Sequence, residues 1–315
     1  MAPCSGVGVV FGDVRGGRIW SLELVSGWEL VLVAGVAGVE VLRYAAFTSS
    51  PEGGNPAGVV LDAVGLSDAE MLRIAAEVGY SETAFLVGRG GGRFDVRYFS
   101  PQAEVPFCGH ATIASAVAYA DRHGTGGLVF DTAAGLVQVG TAVTDAGVVA
   151  TLTSVPPRVA PVSAGSLAEL LAALGWAPED LDPALPPRVG YAGAFHPIVA
   201  AGSRGRLAAL DYDFDRLAEL MAVEGWTTVQ LVWRADEVTF HARDPFPPGG
   251  VVEDPATGAA AAALGGYLRA LGLVSPPARV TVHQGQDLGR PGVLAVDIPV
   301  DGGVSVSGPA VALGG

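Results

Sequence analysis

From about residue 40 onward, hydrophobic and polar positions follow each other in short runs whose period switches between that of a strand and that of a helix. Glu40–Phe47 reads as a strand. The turn-rich Pro51–Pro56 leads to a second strand at Gly58–Leu61. Ser67-Asp68-Ala69-Glu70 is a capping box, in which serine and glutamate each satisfy a backbone N–H of the other's residue. The helix it starts carries Met71, Ile74, Ala75 and Val78 on one face. Thr83–Val87 and Phe94–Phe99 are strands; in the latter Phe94, Val96 and Tyr98 alternate with Asp95 and Arg97. A small-residue helix runs from about Ala111 to Arg122 and stops at Gly124. Strands follow at Leu128–Asp131, Gly135–Gly140 and Val148–Thr153. Val155-Pro156-Pro157 and Pro161 read as the clearest linker. Beyond it lie a helix (Leu167–Leu174), three strands (His196–Ala200, Thr228–Trp233, Val238–Ala242), a Pro/Gly loop and a second small-residue helix from about Gly258 to Leu271. Strands Arg279–Val282, Gly292–Ile298 and Gly303–Val306 close the chain.

The first 39 residues do not share this rhythm. Arg18–Leu24 and Trp28–Val33 have the pattern of short strands. The segment reads as an appended hairpin, a disordered extension, or the product of a start codon set too far upstream. It lacks the early positive charge of a signal peptide, and its apolar run Val31–Val39 is too short to span a membrane.

The two halves share a plan. Phe99-Ser100-Pro101 leads through Val105 to Cys108-Gly109-His110-Ala111-Thr112 and a helix. Phe246-Pro247-Pro248, 147 positions later, leads through Val252 to Asp254-Pro255-Ala256-Thr257-Gly258 and a helix. Two such halves would set two helix N-termini across a cleft. Free N–H groups and the positive dipole end make each suited to an anion.

Composition narrows the chemistry. The 18 basic residues are all Arg, set against 32 acidic ones, for a net charge of −14. That surface disfavours nucleic acid. With no Lys in the chain, neither an enzyme-bound Schiff base nor a standard P-loop is available. Cys4 and Cys108 form no CxxC pair, and the five histidines show no HxxxH spacing. The expectation is therefore no metal, no membrane and a reducing cytoplasm.

Several residues carry candidate chemistry. Glu82 lies between a helix and an apolar strand, beside Tyr80 and Phe85. Buried, it would hold a raised pKa and could shuttle protons; its own segment, taken alone, favours an exposed glutamate opening a strand. His110 at a helix start is a hydrogen-bond donor or general acid, or a structural histidine. Cys108 reads first as a small buried residue and second as a thiol base. Asp254 reads as a helix cap, or as a carboxylate facing the cleft. Asn55 alone signals a turn, and otherwise a cleft amide. His283–Pro291 reads as a tight turn with Arg290 paired to an acid.

Together, Gly54-Asn55-Pro56-Ala57-Gly58-Val59-Val60-Leu61-Asp62-Ala63, Ser81-Glu82-Thr83-Ala84-Phe85-Leu86, Phe107-Cys108-Gly109-His110-Ala111-Thr112, Glu253-Asp254-Pro255-Ala256-Thr257-Gly258-Ala259-Ala260 and Gln284-Gly285 through Gly289-Arg290-Pro291 resemble the phenazine-biosynthesis isomerase family (PhzF-like). Order and spacing agree from about residue 40 to the C-terminus. The resemblance implies an α+β, diaminopimelate-epimerase-like fold: two pseudo-symmetric lobes, each a curved, mostly antiparallel sheet wrapped around a central helix. Residues 40–154 plus about 300–315 would form the N-terminal lobe and 155–299 the C-terminal lobe, with the last strand returning to the first lobe. It also implies a homodimer without a cofactor, acting on a small carboxylate such as trans-2,3-dihydro-3-hydroxyanthranilate. Carried over, Glu82 matches the general acid/base, His110 and Asp254 the polar residues that assist it, and the N–H groups near Gly109 and Gly258 the carboxylate cradle. Asn55, Thr257 and Ala259 complete the expected substrate contacts.

Two departures bear on the substrate. Two-base epimerases of this fold place a cysteine at each helix start; here Cys108 keeps the first and Thr257 replaces the second. Ala259 stands where the family often has Ser. An epimerase using Cys108 alone and a non-catalytic binding protein of the same fold remain as alternatives.

Overall fold

The computed structural model describes residues 38–145 and 147–314, together with Asp13–Val14 and Gly17–Arg18, which pair as a short antiparallel ladder. The strand expected at Trp28–Val33, most of that at Arg18–Leu24, and the choice among readings of the first 39 residues lie outside the described residues. Among those described, no helix is long and apolar enough to cross a membrane.

The architecture is sheet-rich, with six α-helices among the described residues: α1 (Asp68–Val78), α2 (Gly109–His123), α3 (Ala164–Leu174), α4 (Arg204–Ala208), α5 (Phe214–Glu224) and α6 (Gly258–Ala270). The capping box of α1 is present in full, with the Ser67 side chain and Glu70 exchanging bonds with each other's backbone. Helix α5 had no counterpart in the sequence reading. Its buried positions are only Leu217 and Met221, too sparse a stripe to stand out in so apolar a chain. The expected linker at Pro161 is instead the end of a strand, Arg158–Pro161, paired antiparallel with Arg188–Tyr191. A proline is tolerated there because the strand lies at one end of its sheet.

One sheet closes on itself around α2. Leu42–Ala46 pairs antiparallel with Asn55–Val60, which runs parallel to Thr83–Gly90. Next come Arg93–Phe99 (antiparallel), Gly127–Thr132 (parallel), Gly135–Thr144 (antiparallel) and Gly147–Thr153 (antiparallel). Ser305–Ala312 joins Gly147–Thr153 to Leu42–Ala46 and completes the ring. The second sheet repeats this order of senses. Arg188–Tyr191, Phe195–Ala200, Gln230–Arg234, Thr239–Phe246, Ala278–Gln284, Gly292–Ile298 and Ser305–Ala312 are joined antiparallel, parallel, antiparallel, parallel, antiparallel and antiparallel. The duplication read from two short motifs thus extends to the strand pairings. Ser305–Ala312 belongs to both sheets.

The two small-residue helices fill these sheets. Helix α2 is buried nearly all round, through Ala111, Ile113, Ala114, Val117 and Ala118, the pattern of a helix enclosed by other structure rather than one lying on a surface. Helix α6 buries Ala260 through Leu268 without a break. Its glycines set how closely the sheet approaches: a Cβ on Gly266 would lie 2.3 Å from Cβ of Pro157. Alanine is the better helix former by about 1 kcal/mol. Overpacking against a rigid proline ring costs about 1–3 kcal/mol. Gly266→Ala is therefore expected to lower stability by up to about 2 kcal/mol, read as a reduced urea midpoint at unchanged slope.

Candidate active site

The first turns of α2 and α6 meet. A Cβ built on Gly109 would lie 4.0 Å from both Cα of Gly258 and the backbone nitrogen of Ala259. These two starts differ from those of the other helices. Ser67, Ser163, Ser203 and Asp213 cap α1, α3, α4 and α5 with their side chains. Cys108 and Thr257, at the corresponding positions of α2 and α6, make no such bond. Neither of the two facing helix starts is thus closed by a side-chain oxygen, the condition under which a helix start receives an anion.

Glu82 approaches this junction from the end of the segment that follows α1. Gly79 ends that helix in the left-handed conformation, and Tyr80-Ser81 carries the chain to the strand that begins at Thr83. The Glu82 carbonyl accepts from the Gly58 N–H at 3.1 Å, so its backbone is already fixed to the neighbouring strand. Its side chain is 12% exposed, which rules out the exposed glutamate that the segment alone suggested. Oε2 lies 3.4 Å from His110 Nε2 and 3.6 Å from Cys108 Sγ. Sγ is in turn 3.3 Å from His110 Nδ1, and Ser81 Oγ is 3.4 Å from Nε2.

Around α6 the partners are equally specific. Asn55 is buried and is the first residue of its strand, with its amide pointing inward. Nδ2 donates to Asp254 Oδ1 at 2.7 Å and to the Ala256 carbonyl at 3.2 Å. Its amide is bonded across to the start of α6, and the turn belongs to Gly53 and Gly54. Asp254 ends the strand Val251–Asp254 and does not cap α6. Its Oδ2 accepts from the Thr257 hydroxyl at 2.6 Å. Gly109, Thr257 and Gly258 are buried or close to it, and Ala259 is half-buried beside Gly109.

Three further residues, none of them assigned to the site by its local pattern, support it. Gln284 is fully buried; its Oε1 accepts from the Thr257 N–H at 3.0 Å and its Nε2 donates to the Asp254 carbonyl at 2.8 Å. Its signal was its place in the last of the five motifs, which the local pattern reduced to a turn. Asp244, opposite Asp254 in the strand pair, is fully buried and accepts from the Thr228 hydroxyl at 2.9 Å. Among the described residues, Arg290 pairs with no acid. Its guanidinium donates to the carbonyls of Gly53 (2.6 Å) and Gly54 (2.9 Å), pinning the turn that delivers Asn55. Gly285 has φ +80°, and a Cβ there would lie 2.3 Å from the Arg290 carbonyl oxygen and 2.6 Å from that of Pro255. Only glycine fits.

The electrostatics follow from burial. Desolvation pushes Glu82 up from the usual glutamate range, against opposing hydrogen bonds from Ser81 and Cys108. Burial also raises Asp254, with the charge of Glu82 adding to the rise and His110, Thr257 and Asn55 opposing it. His110 is pushed down by burial, so its ring is held toward the neutral form, while the charge of Asp254 pulls the other way. Burial pushes the Cys108 thiol far up, reinforced by the Glu82 charge. The site thus brings together a carboxyl group that holds its proton above the usual glutamate range, an imidazole held toward its neutral form and a thiol held toward its protonated form.

The sequence model of the phenazine biosynthesis-like proteins (PhzC-PhzF) matches residues 44–314. The chain belongs to this family. It is 32% identical over 288 residues to an uncharacterized isomerase, YfhB, of Bacillus subtilis (strain 168), covering 86% of this chain and 96% of that one. It is 33% identical over 252 residues to the trans-2,3-dihydro-3-hydroxyanthranilate isomerase of Pseudomonas fluorescens, covering 79% and 86%. The crystal structure of the Bacillus anthracis phenazine biosynthesis protein of the PhzF family superimposes with a TM-score of 0.78 at 27% identity, covering 87% of this chain and 97% of that one. The protein is an enzyme of the isomerase class, with the PhzF family fold.

Because the folded protein holds the Glu82 proton more tightly than the unfolded chain does, stability should fall as pH rises. The fall begins near the unfolded value of 4.5 and ends above the raised folded value. Glu82→Gln removes this contribution. Urea unfolding across that range should show wild type losing stability relative to Glu82→Gln as pH increases. A constant difference would mean the carboxyl is not shielded.

Proposed function

We propose that this PhzF-family isomerase moves a proton between two carbons of a small carboxylate, with Glu82 as the single movable base. The observation that carries this reading is the shielded Glu82 carboxyl beside the meeting point of two helix starts that no side chain caps. The first-turn N–H groups near Gly109 and Gly258 would receive the substrate carboxylate, withdrawing electron density from the adjacent C–H. Glu82 would take that proton and return it to a second carbon on the same face. One base suffices for such a shift, because nothing leaves and no electrons are exchanged. Neutral His110 would donate to a substrate oxygen or steady Glu82. Asp254, oriented by Asn55 and Thr257, would hold the substrate's amine or hydroxyl.

The substrate class follows from the same groups: a small acid with an acidic C–H or a diene, of which trans-2,3-dihydro-3-hydroxyanthranilate is the model offered by the Pseudomonas fluorescens relative. Ala259 supplies no hydroxyl toward it. The repeated order of strand pairing supports two pseudo-symmetric, diaminopimelate-epimerase-like lobes, with the first spanning 40–154 plus the last strand. A cytoplasmic homodimer that needs no cofactor completes the reading.

An epimerase working through Cys108 is the second reading, and the thiol's surroundings weigh against it. A thiol raised by burial and by a neighbouring carboxylate is a poor source of thiolate. The Thr257 hydroxyl at the opposite helix start is already committed to Asp254.

A panel of small carboxylates, including trans-2,3-dihydro-3-hydroxyanthranilate, incubated in deuterium oxide tests these readings. Glu82→Gln is expected to cut solvent deuterium incorporation by about 10²–10⁴-fold. Cys108→Ala should retain exchange. The reverse ranking of the two variants would favour the thiol mechanism, and undiminished exchange in Glu82→Gln would overturn the present one.

A further inference from the structure

Cys108 stands where α1, α3, α4 and α5 carry a capping oxygen. Its backbone has the extended conformation of a capping residue (φ −143°, ψ 116°), like Ser67, Ser163, Ser203 and Asp213, yet its side chain does not cap α2. Sulfur is a weak hydrogen-bond acceptor, so the Ala111 N–H that faces it gains little and the start of α2 stays open.

The surroundings fix where the S–H points. Sγ lies 3.3 Å from His110 Nδ1 and 3.7 Å from Nε2. An atom so nearly equidistant from both ring nitrogens rests against the imidazole and not on the lone pair of either. Glu82 Oε2, 3.6 Å away, is the acceptor left to the S–H. Burial keeps the thiol protonated, because a thiolate there would lie beside the charges of Glu82 and Asp254. Burial also strengthens an S–H bond to an ionised carboxylate, since little water competes for either group.

Among the described residues, the titratable groups facing Glu82 are Cys108 and His110 from α2 and Asp254 from the strand Val251–Asp254. Ser81 adds a hydroxyl from Glu82's own segment. His110 is held toward its neutral form, and Asp254 is an acid that disfavours a second charge. The carboxylate form of Glu82 therefore relies on hydrogen-bond donors, and the thiol approaches its Oε2 directly.

We propose that Cys108 is a positioning residue for the proton shift: its S–H, turned away from the imidazole, donates to Glu82 Oε2, steadies the carboxylate form of the base and so sets the pH range in which Glu82 takes a substrate proton. A thiol meets both demands of this position. It gives Glu82 a hydrogen and leaves the start of α2 open to the substrate carboxylate. A hydroxyl would turn back onto the helix, as it does in α1, α3 and α4. The role in the proton shift rests on the function proposed above; the S–H contact does not.

The contact is read from the infrared S–H stretch, which lies in a window clear of other protein groups. Wild type minus Cys108→Ala separates the Cys108 band from that of Cys4. The band should move to lower frequency as pH is raised through the range in which Glu82 ionises, because a carboxylate is the stronger acceptor. In a Glu82→Gln background, with the same subtraction, it should stay in place. A wild-type band that does not move, that moves equally in Glu82→Gln, or that is lost to thiolate over this range would overturn the contact. In deuterium exchange, the rate should rise with pH as Glu82 ionises, and Cys108→Ala should shift that rise upward by about half a pH unit or more, the weight of one hydrogen bond. A profile in register with wild type would overturn the role. In Cys108→Ser the hydroxyl should cap α2, so that Tm rises and KM rises by about fivefold, the weight of one cap, with kcat changed less. Unchanged Tm and KM would overturn the reason given for sulfur. A wild type that exchanges with no acid of the panel would instead count against the proposed function, leaving the S–H band to judge the contact.

Discussion

Two enclosed helices begin within contact distance of each other, and neither is capped by a side chain. The properties of the site descend from that arrangement. Water is largely displaced, so each carboxyl placed there is costly to ionise. The positive ends of both helices offer compensation only to a negative group that sits between them. Glu82 and Asp254 approach the same junction, each is raised by burial, and the charge of Glu82 adds to the rise of Asp254. A substrate carboxylate would receive the helix N–H groups directly, leaving Glu82 free to exchange its proton.

The arrangement is held from behind. The small residues of α2 and α6 let the strands close in, and Gly266 shows how little room remains. Gln284 bridges Asp254 and Thr257, while Arg290 grips the carbonyls that precede Asn55. The Asn55 amide then fixes the Asp254 carboxyl. Residues from positions 53 to 290 are thereby tied into one continuous hydrogen-bonded support. Such a support orients catalytic groups without itself touching the reacting atoms.

Much of this could be read in the chain before any coordinates, for particular reasons. The capping box at Ser67, the alternation in Phe94–Phe99 and the apolar helix after Gly258 are local signals with local causes, and each appears at its expected place. Strand ends were misjudged where pairing extends beyond the hydrophobic run, as at Thr239–Phe246. Arg158–Pro161 was hidden because prolines suggest a linker unless a partner strand is known. The burial of Glu82 could not be inferred from Ser81-Glu82-Thr83, since what shields it comes from α2, 26 residues on. For the same reason Arg290 was assigned an acidic partner. Its true acceptors are two backbone carbonyls more than 230 positions away, and carbonyls leave no mark in a sequence.

The central claim is that burial keeps the carboxyl of Glu82 protonated above the pH at which an ordinary glutamate ionises. Infrared difference spectra of wild type minus Glu82→Gln, recorded as pH is raised through the glutamate range and beyond, address it at a single group. The carbonyl stretch of a neutral carboxylic acid should persist in that difference above the usual range and then give way to carboxylate bands. If the neutral band has already vanished where a solvent-exposed glutamate would lose it, the residue is not shielded and cannot be the proton carrier described here.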